Sequence, residues 1–156
     1  MANQDSINTG NGDSRQLVVF SLAGEQYALP IESVSEIIRH TRARSIATDE
    51  PWVRGVIALR GKIVPIFDLA ARLGLAATPD ADTDKIVIVE TATGHVGVTV
   101  QEVEEVLTIG DDQLEPVPTG SEHDGLDGIV KLRERLVILL NPTVLLSGTR
   151  LQASVA

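Results

Sequence analysis

The sequence predicts a mainly β chain built from two similar small barrels, and three observations carry that expectation. The first is a stretch written twice. Gly55-Val-Ile-Ala-Leu-Arg-Gly-Lys-Ile-Val-Pro-Ile-Phe-Asp68 is matched position for position by Gly128-Ile-Val-Lys-Leu-Arg-Glu-Arg-Leu-Val-Ile-Leu-Leu-Asn141, with Arg133 against Arg60 and Asn141 against Asp68. The second is composition: 43% of residues are hydrophobic but only 3% aromatic. The core must therefore be Val, Ile, Leu and Ala, and branched side chains fit a pleated surface. The third is spacing. Short apolar runs recur between Gly-containing turns, and closing such strands into barrels removes edges that would otherwise pair with other chains.

Taken in order, residues 1–15 read as a tail, because they are Asn, Asp, Gly, Ser and Gln with too little apolar surface to offset ordering entropy. Order is expected from near Gln16. Leu17–Leu22 and Gln26–Ile31 flank Ala23-Gly24-Glu25 as a hairpin. Ser33–Arg39 fits both helical and strand periods, and a helical turn at Ile31–Ser33 leading into a strand is expected. Arg42–Pro51 is a polar loop, followed by one short helical turn at Pro51–Arg54. The Val56–Leu59 and Ile63–Phe67 runs form a hairpin whose tip holds Gly61, a residue free to take positive φ. Asp68 and Gly74 bracket a short capped helix, and Ala76–Lys85 is a solvated linker.

The second half repeats the plan. Lys85–Thr91 and Gly97–Val100 are strands around a turn containing His95. Val96–Leu107 aligns with Tyr27–Ile38, which sets Val103 against Val34 and Glu105 against Glu36. Ile109–Asp127 is a long acidic loop where mobility is expected. Asn141, Pro142 and Gly148 mark a second capped helix.

Bulk properties exclude several functions. With 156 residues the chain can bury about 70% of its unfolded surface. Lys and Arg total 13 against 22 Asp and Glu, a net charge of −9, which disfavours nucleic acid and anionic lipid. There is no cysteine for disulfides or thiol chemistry. No apolar run approaches the ~20 residues of a membrane span, and the N-terminus lacks signal-peptide character. A cytoplasmic chain is expected. His40, His95 and His123 are far apart and none adjoins a nucleophile motif. Asp80-Ala-Asp82-Thr-Asp84 imitates a calcium loop, but Lys85 and Thr91 occupy positions that need Gly and Glu, so it reads as an acidic linker. Arg60, at the hairpin tip beside Gly61, is either a solvated turn residue or half of a pair with Glu36 that recurs as Arg133 and Glu105.

Val34-Ser-Glu36-Ile, followed by Val53-Arg-Gly55-Val-Ile-Ala-Leu-Arg60-Gly61-Lys-Ile-Val-Pro65-Ile-Phe-Asp68-Leu, resembles the CheW family of chemotaxis coupling proteins. The resemblance runs from about Gln16 to Ser147, and Ala58 stands where that family usually has Asn. It implies two intertwined five-stranded barrels of the Src-homology-3-like type with short capping helices, in a single domain over 16–150. The first barrel would hold mostly residues 30–84 and the second mostly 85–140, with terminal segments crossing between them.

The resemblance also implies a non-enzymatic scaffold without cofactors, joining the regulatory domain of the chemotaxis histidine kinase to the cytoplasmic tip of methyl-accepting chemoreceptors. A coupler for twitching or gliding is not separable from one for flagellar chemotaxis. The chain itself would be a monomer, reaching membrane-bound arrays only through these partners. Carried over by position, Val34, Glu36, Ala58, Leu59, Arg60 and Gly61 lie in or beside the partner surface of the first barrel. Gly55 must stay small, and Gly97, Val103 and Val106 border a groove from the second barrel. The alternative is a small-ligand or enzymatic module on duplicated barrels.

Overall fold

The computed structural model describes residues 14–76, 81–118 and 125–146. Eleven strands are described: β1 Ser14–Leu22, β2 Glu25–Pro30, β3 Val34–Arg39, β4 Val53–Leu59, β5 Lys62–Asp68, β6 Lys85–Thr91, β7 Gly94–Val100, β8 Glu102–Gly110, β9 Leu114–Glu115, β10 Leu126–Lys131 and β11 Leu136–Leu140. Two short helices, α1 Leu69–Arg72 and α2 Pro142–Leu145, follow the two matched hairpins. Asp68 and Asn141 cap them as expected, their side chains accepting from the backbone N–H of Ala71 and Val144. The strand at Val34 is entered through a 3-10 turn at Ile31–Ser33, also as expected.

The strands form two sheets, one in the order β3-β6-β7-β5-β4 and one in the order β9-β10-β11-β2-β1-β8. The N-terminal hairpin β1–β2 thus belongs with the second-half strands, and the β6–β7 hairpin belongs with the first-half strands. Residues 85–100, expected mostly in the second barrel, are in the first sheet. Each half hands a hairpin to the other, joined by the two parallel pairings, Ile66↔Gly97 and Ile138↔Tyr27. A sequence repeat shows that the halves are alike but not which partner each hairpin chooses.

Other differences are local. Pro51–Arg54 is a turn closed by Val53 N–H on Glu50 O, running directly into β4 rather than a helical turn. The first strand starts at Ser14, inside the expected tail, because Ser14 and Arg15 pair with Gly110 and Ile109. Gly94 and His95 are already in β7, so the turn before them is tighter than expected. Within the acidic stretch, Asp111–Gln113 is a 3-10 turn and Leu114–Glu115 pair with Val130 and Ile129. Residues 1–13, 77–80, 119–124 and 147–156, on which parts of the tail, linker, loop and C-terminal expectations fall, lie outside the described residues.

Strand alternation sorts the apolar side chains into three clusters. Ile57, Val64, Ile66, Ile86 and Ile88 fill the first barrel, and Leu17, Val19, Val130, Val137 and Leu139 fill the second. The largest cluster joins the sheets: Phe20, Leu22 and Leu29 of the second meet Phe67, Val87 and Val89 of the first. A register shift between Val34 and Glu36 lets β3 serve two of these. Val34 packs on the inter-sheet cluster, whereas Ile38 points into the first barrel.

Gly97 and Gly55 are among the glycines required by close approach. A Cβ at Gly97 would stand 2.6 Å from Ile66 Cδ1 and 2.8 Å from Ile86 Cγ2. At Gly55, where φ is +144°, it would stand 2.1 Å from the Arg44 carbonyl oxygen. Gly97→Ala is expected to lower unfolding free energy by about 1–3 kcal/mol, with Gly55→Ala lowering it further because backbone, unlike an isoleucine tip, cannot rotate away. Urea unfolding of both variants measures this, and wild-type midpoints would contradict the packing.

Candidate functional site

In the first sheet β3 and β4 are the two edges. The β4–β5 tip is a two-residue turn with Leu59 opposite Lys62 and positive φ at both Arg60 (52°) and Gly61 (81°), the backbone that a tight primed turn demands. This conformation carries the Arg60 side chain to Glu36 on the opposite edge. Arg60 Nε donates to Glu36 Oε2 at 2.9 Å and Nη2 donates to Oε1 at 2.7 Å. The paired reading of Arg60 therefore holds. The fork-to-carboxylate geometry fixes direction as well as distance, yet the Arg60 side chain remains 72% exposed, so it lies open to a partner. The hydrogen bond from Arg60, helped by its charge and that of His95, holds the Glu36 carboxyl below the usual glutamate range.

The other expected residues divide between surface and interior. Leu59 turns toward the first-barrel core. Ala58 is exposed and lies directly opposite Ile63, which is 66% exposed. Having Ala rather than a polar side chain at 58 makes this cross-strand pair wholly apolar. Val34 and Val103 are partly buried against the inter-sheet cluster, and Val106 is 52% exposed on edge strand β8. Gly55 is buried under the Arg44 backbone and supports the hairpin from within. Gly97 is a correction: it belongs to the first sheet, is buried, and abuts Ile66 and Ile86, so it offers no contact surface.

The second copy differs at its tip. Glu105 is paired with Arg135 rather than Arg133, and Arg135 also donates to Gln26 Oε1 at 3.0 Å. Arg133 is absent from the residues with positive φ, and Glu134 fills the place of Gly61. The donor thus moves two positions along the chain, something the aligned sequences conceal. Ile63 and its match Leu136, 57% exposed, were not among the expected contacts. Their outward phase next to buried Val64 and Val137 was the available signal.

Among the described residues, no three metal-ligating side chains gather and no helix is long and apolar enough to cross a membrane. His40 lies 3.9 Å from Asp82, and His123 and Asp80 lie outside the described residues. Asp84 Oδ2 accepts from Ala81 N–H, a turn-capping contact.

The family profile of the CheW-like domain matches residues 16–150. A probable chemotaxis protein CheW of Rhizobium etli is 32% identical, with 96% of each chain covered. The chemotaxis protein CheW of Bacillus subtilis is 29% identical, covering 90% of this chain and 92% of its own. A crystal structure of the scaffolding protein TtCheW from Thermoanaerobacter tengcongensis superposes with a TM-score of 0.79 at 32% identity, covering 85% of this chain and 92% of that one.

A carboxyl held ionised by a partner contributes to folding above its unfolded value and loses that contribution as pH falls through its lowered folded value. Glu36 is therefore expected to titrate below ordinary glutamate in carbonyl-detected NMR, and Arg60→Ala should move it upward. An unchanged midpoint in that variant would show that the pair does not form in solution.

Proposed function

The chain belongs to the CheW-like family, and from that premise we propose that it is a non-enzymatic scaffold coupling chemoreceptors to the chemotaxis histidine kinase. Matches to proteins named for chemotaxis, and to one titled a scaffolding protein, support this reading. The observation that carries it is the exposed Arg60–Glu36 pair beside the apolar Ala58–Ile63 pair. A preorganised guanidinium next to an uncovered aliphatic surface is a recognition arrangement. Nothing in the fold itself requires so much of it to face solvent.

In this reading, the first-barrel tip meets the kinase regulatory domain. Val34 and Val103, beside the seam between the sheets, and the exposed Val106 on β8 contact an apolar face of the receptor's cytoplasmic helical tip. The protein works in the cytoplasm as a monomer recruited to receptor arrays, and the reading serves a flagellar or a surface-motility pathway equally. It needs no cofactor and no covalent step.

Titrating the full chain against the kinase regulatory domain and, separately, a receptor-tip fragment tests the proposal. Arg60→Ala is expected to weaken the kinase complex by about tenfold or more, while Arg135→Ala leaves it within about twofold. Val106→Asp should weaken the receptor complex alone. Absence of binding to both partners, or equal losses from Arg60→Ala and Arg135→Ala, would overturn it.

A further inference from the structure

The end of the first barrel remote from Arg60 contains a cavity of about 300 Å³, the lower end of the range for small-ligand sites. Its apolar lining is Ala43 with Ile66 and Ile86, the isoleucines each 1% exposed, and its polar lining includes His40, Arg42, Arg54 and the nearly buried Thr99. Asp68 also lines it, but both its oxygens are engaged: Oδ1 accepts from Ala71 N–H and Oδ2 from Arg54 Nη2 at 3.2 Å. Arg42 forms no ion pair among the described residues.

Around this end the chain concentrates arginine against its overall balance of −9. Arg39, Arg42 and Arg44 fall within six residues and Arg39 stands directly opposite Lys85 in the ladder, with Asp82, 3.9 Å from His40, as an acid at the same end. Like charges placed opposite one another destabilise a sheet, so folding alone gives no reason for them. The second barrel supplies an internal comparison. Counting on from the Val-x-Glu match, His40 corresponds to Ile109, which is buried in the second core, and Arg42 corresponds to Asp111. Arg54 and Asp68 correspond to Asp127 and Asn141, whose side chains meet at 3.4 Å. The hollow beside that end is lined by Arg15, already 4.0 Å from Asp111. The same architecture is thus acidic in one copy and basic in the other.

We propose that the cavity at this end of the first barrel binds a small organic carboxylate, its charge on Arg42 and a short apolar body against Ile66 and Ile86. Guanidinium matches carboxylate in shape and charge, and the isoleucines favour an alkyl body over a bare ion.

Amide-resolved NMR titration of the full chain with butyrate, and separately with inorganic phosphate, tests this at low salt. Butyrate should give saturable shifts at millimolar concentration, centred on His40–Ala43, Arg54 and Thr99, and phosphate should bind more weakly. Arg42→Gln, which keeps the apolar stem, should weaken butyrate by about tenfold, whereas Arg133→Gln should not. Shifts that never saturate, that survive Arg42→Gln, or that phosphate reproduces at equal strength would overturn the proposal.

Discussion

The constraint on which the rest depends is the exchange of hairpins between the two halves. β1–β2 completes the sheet that the second half closes, and β6–β7 completes the sheet that the first half closes. Two parallel pairings anchor the exchange, and neither half can make both sheets without the other. Because each exchanged hairpin shows one face to its adopted barrel and the other to the seam, the largest core lies between the barrels. Phe20 and Phe67, both fully buried, sit there. Burial of large side chains on this scale makes the molecule one body rather than two beads.

Closure is the second problem, and the two copies solve it with the same chemistry placed differently. An Arg–Glu pair joins edge strand β3 to the β4–β5 tip in one barrel, and edge strand β8 to the β10–β11 tip in the other. Gly61 permits the tight tip that aims Arg60 across the gap. With Glu134 in its place, the second tip uses Arg135, which is also tied to Gln26. The first pair faces solvent more openly, and the adjoining surface is apolar. That asymmetry, laid on a symmetric frame, distinguishes a partner surface from a closing contact.

Much of this was legible in the sequence because local rules act locally. The repeated Leu-Arg tip and the Asp68 and Asn141 caps follow from turn chemistry or a matched position, whereas the position match that suggested a Glu36–Arg60 pair names the wrong arginine in the second copy, where Glu105 meets Arg135. What the sequence hid is tertiary choice. Glycine at 97 is compatible with a groove or with a crowded interior, and only the neighbouring Ile66 and Ile86 decide for the interior. The bulge in β3 sends Val34 and Ile38 to different cores although strict alternation puts them on one face. Leu114 and Glu115 become a strand because β10 offers them an edge, with no strand-like run of their own.

The intertwining is tested most directly by expressing residues 1–80 and 81–156 as separate chains and following each by circular dichroism and urea unfolding. Each alone lacks the hairpin that the other supplies. The expected result is no cooperative transition in either half and recovery of native β signal and a single transition when they are mixed in equal amounts. A cooperative transition in either isolated half, or mixing without gain, would contradict the exchanged architecture.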